Sequence, residues 1–250
     1  MTCSRRCLRV LNTRPTEDAA ELYKLLCELG HEVISEPLLS VRFKNSSPPA
    51  IGAFQAVLFT SRNGVRAFAY TSDERRAVAF AVGDATSREA EAVGFEEVRC
   101  AAGNVKSLAA LVVNQLNPRD GPLLHVSASV TAGDLAGRLN KAGFGVEKSV
   151  LYETIPSTKL STRTEKMFKN NEMDIVILFS PRTARTFVAL LKRSELLDFC
   201  KGLVVVCLSK DVAAELYDIT GISILTANEP SLEAVLRIFR DIDCGNWENG

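Results

Sequence analysis

One stretch of this chain occurs twice. Val57-Leu58-Phe59-Thr60-Ser61-Arg62-Asn63-Gly64-Val65-Arg66-Ala67-Phe68 returns as Ile177-Leu178-Phe179-Ser180-Pro181-Arg182-Thr183-Ala184-Arg185-Thr186-Phe187, with one fewer residue at the turn. In both copies an apolar run ends at a small polar turn that opens a helix. The first amides of a helix lack intrahelical partners and its dipole adds positive potential, so α/β proteins build anion sites at such turns. Two of them predict two lobes facing one substrate.

The repeat extends further. Ala79 to Thr86, followed by a helical stretch from Ser87 to Val93 and Gly94, is echoed by Val204 to Val212, the stretch from Ala213 to Thr220, and Gly221. Leu8-Arg9-Val10-Leu11-Asn12-Thr13-Arg14-Pro15, with a helix ending at Gly30, matches Leu123-Leu124-His125-Val126-Ser127-Ala128 and a helix ending at Gly143. A repeat of this length is too long for a solenoid unit and reads as a duplicated α/β domain.

Strands are expected near 8–12, 32–36, 56–60, 78–82, 95–99, 122–126, 147–153, 174–179, 203–208 and 222–225. The clearest helix runs from Glu17 to Leu29, where Ala19, Leu22, Tyr23 and Leu26 make one buried stripe and Gly30 suits the left-handed position past the end. Similar signals mark Val105 to Leu116, Thr131 to Ala142, Arg182 to Leu191, Val212 to Asp218 and Leu232 to Ile242. Regular β-α-β alternation implies parallel sheets covered by helices on both faces, and ten strands would make two five-stranded sheets. The fold class is therefore α/β: two doubly wound parallel-sheet domains joined by a two-segment linker. Pro37, the Asn45-Ser46-Ser47-Pro48-Pro49 cluster and Pro156-Ser157-Thr158 mark the connections, and a double linker usually acts as a hinge.

Composition narrows the partners. In 250 residues, 30 Lys and Arg balance 30 Asp and Glu, so no global field favours nucleic acid or an anionic membrane, and an anionic ligand must be held locally. The apolar runs are too short and too often broken by charge to span a bilayer. Met1 to Arg9 is basic without an apolar signal core and reads as a frayed start. Seven cysteines, Cys3, Cys7, Cys27, Cys100, Cys200, Cys207 and Cys244, are scattered without a Cys-x-x-Cys pair and read as reduced structural thiols. The expectation is a cytoplasmic protein, with an organellar stroma or matrix left open, and a monomer by default.

The candidate chemistry lies at strand ends, where open α/β sheets bind ligands. Arg14 follows the first strand, with Pro15 at a favoured first helical position; its guanidinium suits either a bidentate carboxylate or a surface ion pair. Ser61 and Ser180 occupy equivalent N-cap positions, as caps or as ligands, and Asn63-Gly64 and Arg182-Thr183 add donors in the first turns. Gly83 lets backbone approach a ligand, and Thr86 either caps a helix or bonds a substrate oxygen. The second copy carries Ser209 and Val212 there. Ser127, Ser129 and Thr131 form a polar turn after a strand.

Several chemistries are missing. There is no Gly-x-Gly-x-x-Gly after the first strand, no Walker loop and no Gly-x-Ser-x-Gly elbow. His31 and His125, the only histidines, have no metal-ligand spacing and read as structural, so Ser-His nucleophilic catalysis and zinc hydrolysis are disfavoured. Such a chain must bind well and let its ligand do most of the chemistry.

The ordered set Arg14-Pro15, Thr60-Ser61-x-Asn63-Gly64-Val65, Ala81-Val82-Gly83-x-x-Thr86, Val150-Leu151-Tyr152-Glu153-Thr154 and Phe179-Ser180-Pro181 resembles the uroporphyrinogen-III synthase family over essentially the whole chain. The turns at Ser209-Lys210-Asp211-Val212 and Ser127-Ala128-Ser129 depart from it, because the family more often has Gly and Thr in the first and a Gly in the second. The resemblance implies cyclisation of hydroxymethylbilane, a linear tetrapyrrole with eight carboxylates, with inversion of ring D and loss of water. It implies no cofactor and no metal. Loss of the ring-A hydroxyl gives an azafulvene, which the substituted carbon of ring D attacks to form a spiro-pyrrolenine.

Helix-terminal amides suit the carboxylates without requiring a basic chain. Tyr152 resembles the family tyrosine at the mouth of the cleft, and two readings stand for it: a group that orients or protonates the leaving hydroxyl, or a packed linker tyrosine. The resembling fold also reorders the domains. One is discontinuous, 1–38 plus 155–250, the other is 39–154, and the crossings fall near 37–41 and 151–157. The rival reading is a non-catalytic two-lobed binding protein for an anionic small molecule.

Overall fold

Ile175–Leu178 and Val204–Cys207 are buried at every position, as strands covered on both faces must be. A computed structural model of the chain describes residues 7–46, 48–130 and 133–243. Cys3, Cys244, Ser47, Thr131 and the first six residues of the basic start lie outside that set. Backbone contacts divide the chain into two units, one of Met1–Ser40 with Ile155–Gly250 and one of Val41–Thr154.

The discontinuous unit contains β1 (Arg9–Asn12), α1 (Thr16–Glu28) and β2 (Glu32–Ser35). The other unit follows, beginning within β3 (Leu39–Phe43), with β4 (Ala56–Phe59), α2 (Arg62–Thr71), β5 (Val78–Ala81), α3 (Asp84–Ala92) and β6 (Val98–Cys100). It continues through α4 (Val105–Gln115), β7 (Leu123–Ala128), α5 (Leu135–Lys141) and into β8 (Val146–Pro156). The chain then returns to the first unit with α6 (Thr162–Lys169), β9 (Ile175–Leu178), α7 (Pro181–Arg193) and β10 (Val204–Cys207). A short α8 (Lys210–Ala213), β11 (Ser223–Thr226) and α9 (Leu232–Asp243) complete it.

The sheet of the discontinuous unit has the order β11-β10-β9-β1-β2, and every pair is parallel. Alternate strand residues serve opposite faces. Val10, Ile177 and Val206 pack with Leu22 and Leu26 of α1 and Phe239 of α9, while Leu11, Val176 and Val205 pack with Phe168 of α6 and Phe187 of α7. The other sheet has the order β3-β8-β7-β4-β5-β6. Its Phe59 and Val126 meet Val65 and Phe68 of α2, and its Leu58 and Leu123 meet Leu108 of α4 and Leu139 of α5. Taken as β2-β1-β9-β10-β11 and β8-β7-β4-β5-β6, the two orders correspond in topology, and the equivalent strands are those that the sequence repeat pairs.

The differences from the sequence expectation have local causes. An eleventh strand, β3, adds an antiparallel edge, its partners running from Leu38 with Ser157 to Lys44 with Leu151. Its apolar residues alternate with Ser40 and Arg42, which is an edge-strand signal overshadowed by the prolines on either side. Both chain crossings between units therefore lie within paired strands. The expected strand at 95–99 starts later because Phe95 belongs to the end of α3: Gly94 has φ +101, and the Phe95 amide donates to the Ala90 carbonyl. Gly30 (φ +92) and Gly143 (φ +91) end α1 and α5 by the same left-handed turn.

The helix expected from Thr131 begins at Leu135, where Asp134 caps it by accepting from the Gly137 amide at 2.8 Å. The helix expected over Val212 to Asp218 is the short α8 followed by one tight turn, Ala214–Leu216. Helix α6 was not anticipated. Its N-cap Ser161 accepts from the Thr164 amide, and the buried Glu36 carboxylate accepts from the Ser161 amide at 3.1 Å.

Candidate functional site

In the continuous unit, α2 starts where β4 ends. Ser61 is extended, and its Oγ accepts the Gly64 amide at 3.2 Å, closing the first turn. The same Oγ lies 2.7 Å from the Tyr152 hydroxyl. Tyr152 reaches this place through a bulge. The register between β7 and β8 shifts from Ser127 opposite Val150 to Ala128 opposite Tyr152, leaving one extra residue in β8. Leu151 and Tyr152 are consecutive yet both buried in the same core, which a regular strand forbids and a bulge allows. The ring packs on the helix start, because a Cβ added at Gly64 would stand 3.8 Å from Tyr152 Cε1 and 3.4 Å from the Val126 carbonyl oxygen. Burial pushes the phenol pKa up, and the hydrogen bond with Ser61 opposes that rise.

Helix α3 starts at the end of the neighbouring strand β5. Gly83 stands at its N-cap, so there is no side-chain cap, and its φ of −164° is open to any residue. A Cβ there would meet nothing within 4 Å, so the backbone has no need of glycine and the space in front of it is free. Thr86, expected as a possible cap, is instead buried in the first turn, with its amide donating to the Gly83 carbonyl. Arg66 of α2 and Glu89 of α3 form a two-pronged, half-buried ion pair that ties the two helices together. Asn63 is half-buried in the first turn of α2.

Ser127 does not stand in a turn after the strand but is a fully buried residue of β7; of the expected polar turn, Ser129 is the member that the described residues place beyond the strand, exposed, with its amide donating to the Tyr152 carbonyl.

In the discontinuous unit, Ser180 caps α7 as Ser61 caps α2, accepting the Thr183 amide at 3.1 Å. Its second partner is the Thr183 hydroxyl, at 2.8 Å. Arg14 lies with its guanidinium carbon 4.4 Å from the centre of the Phe179 ring, which places its charge beside the start of α7. Pro15 occupies the N-cap position of α1, one residue before the position expected for it. Arg182 is half-buried in the first turn of α7. Ser209 stands at the N-cap of α8, but its side chain makes no capping bond.

Asn12 and Thr13 were missed by the sequence reading. Asn12 is fully buried, accepts the Arg14 amide at 3.2 Å and donates to the Ala19 carbonyl at 3.2 Å, so one side chain brackets the turn that presents Arg14. Thr13 donates to the Ile177 carbonyl at 2.6 Å, binding the end of β1 to β9. The available signal was a pair of polar residues where a buried strand ends.

Among the described residues, no group of three or more His, Cys, Asp or Glu stands close enough to hold a metal ion, and no helix is long and apolar enough to cross a membrane.

Mainly parallel sheets covered by helices on both faces, with helices that start where strands end, define a two-unit α/β protein. The family model described as uroporphyrinogen-III synthase HemD matches residues 20–237, and the chain belongs to that family, which supplies enzymes of tetrapyrrole and haem biosynthesis. The fold is similar to that of uroporphyrinogen-III synthetase from Helicobacter pylori 26695, with a TM-score of 0.63 at 15% identity, covering 95% of this chain and 100% of that one. It is also similar to a mutant uroporphyrinogen III synthase from the extremely thermophilic bacterium Thermus thermophilus, with a TM-score of 0.61 at 16% identity, covering 96% and 100%. No curated protein sequence matches the chain.

Proposed function

We propose that this chain is a uroporphyrinogen-III synthase, a lyase that closes hydroxymethylbilane with inversion of ring D and loss of water. It works without a cofactor, as a monomer in the cytoplasm. The family match over residues 20–237 supports the reaction class, and the observation that carries the catalytic assignment is the contact between Tyr152 and Ser61 at the start of α2.

The capped starts of α2 and α7, with Asn63, Gly64, Arg182 and Thr183 in their first turns, offer amides to substrate carboxylates, and the start of α3 at Gly83 and Thr86 offers more. Arg14, stacked on the ring of Phe179, the residue before Ser180 in sequence, adds a charge-assisted partner. Ser129 and Ser209 stand at strand ends as lesser polar contacts. Ser127, fully buried within β7, offers the substrate no exposed hydroxyl.

In this reading Tyr152 donates its proton to the departing ring-A hydroxyl, a contribution of about 10²–10⁴-fold, while the folded substrate supplies the carbon nucleophile. The purified chain added to freshly prepared hydroxymethylbilane is expected to yield isomer III; isomer I alone, the spontaneous product, would overturn the enzyme assignment. Tyr152→Phe is expected to lower kcat within that range. Full turnover by the variant would return Tyr152 to a packing role.

A further inference from the structure

We propose that Ser61 is a positioning residue for Tyr152, its hydroxyl donating to the phenol oxygen and coupling that oxygen to the start of α2. The proposal rests on the reading of Tyr152 as the proton donor. It changes the task of Ser61 from gripping a carboxylate to serving the acid.

A serine hydroxyl has one proton and two lone pairs, and one lone pair of Ser61 is already engaged by the Gly64 amide. The 2.7 Å separation from the Tyr152 oxygen is the usual length for an O–H···O bond. When Ser61 is the donor, the phenol proton remains for the substrate. The equivalent cap Ser180 turns its second contact to the Thr183 hydroxyl, so the repeated turn carries this arrangement in one copy.

The C–O bond of the ring-A hydroxymethyl breaks and its electron pair leaves with oxygen, which takes the Tyr152 proton and departs as water. The phenolate left behind keeps the Ser61 hydrogen bond, and Ser61 in turn is held by a helix-start amide, where negative charge is favoured. The proton released when the macrocycle closes returns to the phenolate. Burial alone would hold the phenol neutral and weaken it as an acid; the Ser61 bond works against that.

The charged groups on the surrounding elements are Arg62 and Arg66 on α2, Arg42 on β3, and Glu147, Lys148 and Glu153 on β8; His125 is the titratable residue of β7 and β4 has none. Arg66 pairs with Glu89 and Arg42 with Glu153, and among the described residues the hydrogen-bond partner found on the phenol oxygen is the Ser61 hydroxyl.

Ser61→Gly tests this, because glycine costs a helix cap only a few tenths of a kcal/mol yet removes the donor. Ser61→Thr keeps both cap and donor. Tyrosine ring-carbon NMR, with Tyr152→Phe assigning the signal, is expected to show Tyr152 titrating at higher pH in the glycine variant and near the parental pH in the threonine variant. With hydroxymethylbilane, kcat of the glycine variant is expected to fall about 10- to 100-fold with little change in KM, the loss expected for a hydrogen bond to a charged group, and threonine is expected to recover most of it. An unshifted Tyr152 titration in the glycine variant would overturn the proposal. Full turnover by Tyr152→Phe would overturn the acid reading instead, and the titration, made without substrate, keeps the two failures apart.

Discussion

His125 is a buried imidazole on β7 whose two ring nitrogens both lack a hydrogen-bond partner. It shares a face of the strand with Leu123 and the equally unpartnered Ser127, toward the apolar cluster under α4 and α5. Burial, helped by the charge of Lys148, lowers its pKa from 6.5 to about 4. The folded state therefore holds the neutral ring, while the unfolded state takes up a proton below its ordinary pKa. Stability from this residue is complete above pH 6.5 and is lost as pH falls toward 4, by about 3 kcal/mol at most. Thermal unfolding between pH 7.5 and 5 is expected to show a decline that shrinks in His125→Leu; an unchanged decline would place the acid sensitivity elsewhere. The structural reading of His125 agrees with this environment, although no residue near it in sequence disclosed how dry that environment is.

At the scale of elements, residues of one type divide by what their side chains do. Ser180 closes the first turn of a 13-residue helix, whereas Ser209 precedes four helical residues and makes no capping bond. Ser180→Ala is expected to cost about 1 kcal/mol of stability and Ser209→Ala less than about 0.5 kcal/mol, read from denaturant midpoints at constant m-value. Equal losses would contradict the capping geometry. Caps, left-handed glycines and buried runs were legible because each is a local pattern of a few residues. Helix α8 was misread for the complementary reason: periodicity continues through Ala214–Leu216, but a tight turn there shortens the helix. Strand β3 hid between prolines, and Tyr152 owes its direction to a bulge that no spacing rule announces.

At the scale of the whole molecule, the continuous unit Val41–Thr154 has its own sheet and apolar clusters on both faces. Expressed alone it is expected to unfold cooperatively with helical and strand content retained, by circular dichroism and a thermal melt. A chain that stays unstructured would show that its core needs the rest of the protein. The discontinuous unit makes the opposite demand, since β1 pairs with β9 across more than 160 residues, as in Val10 opposite Ile175. The two sheets share an order of strands, but the pieces appear along the chain in a different sequence.

Read alone, the amino-acid sequence determined the alternation of strands and helices, the polar turns that open α2 and α7, the glycine-terminated helices and the ordered motifs of the family. These are short-range properties, written in side-chain periodicity and in the few residues that suit a cap or a left-handed turn. Only the tertiary structure decided that β9 lies beside β1, that Asn12 brackets the Arg14 turn, and that the Ser61 cap meets Tyr152, 91 residues away. Backbone hydrogen bonds are alike for every strand, so the choice of partner belongs to the packing of whole faces, and a side-chain contact that depends on that choice has no local signature.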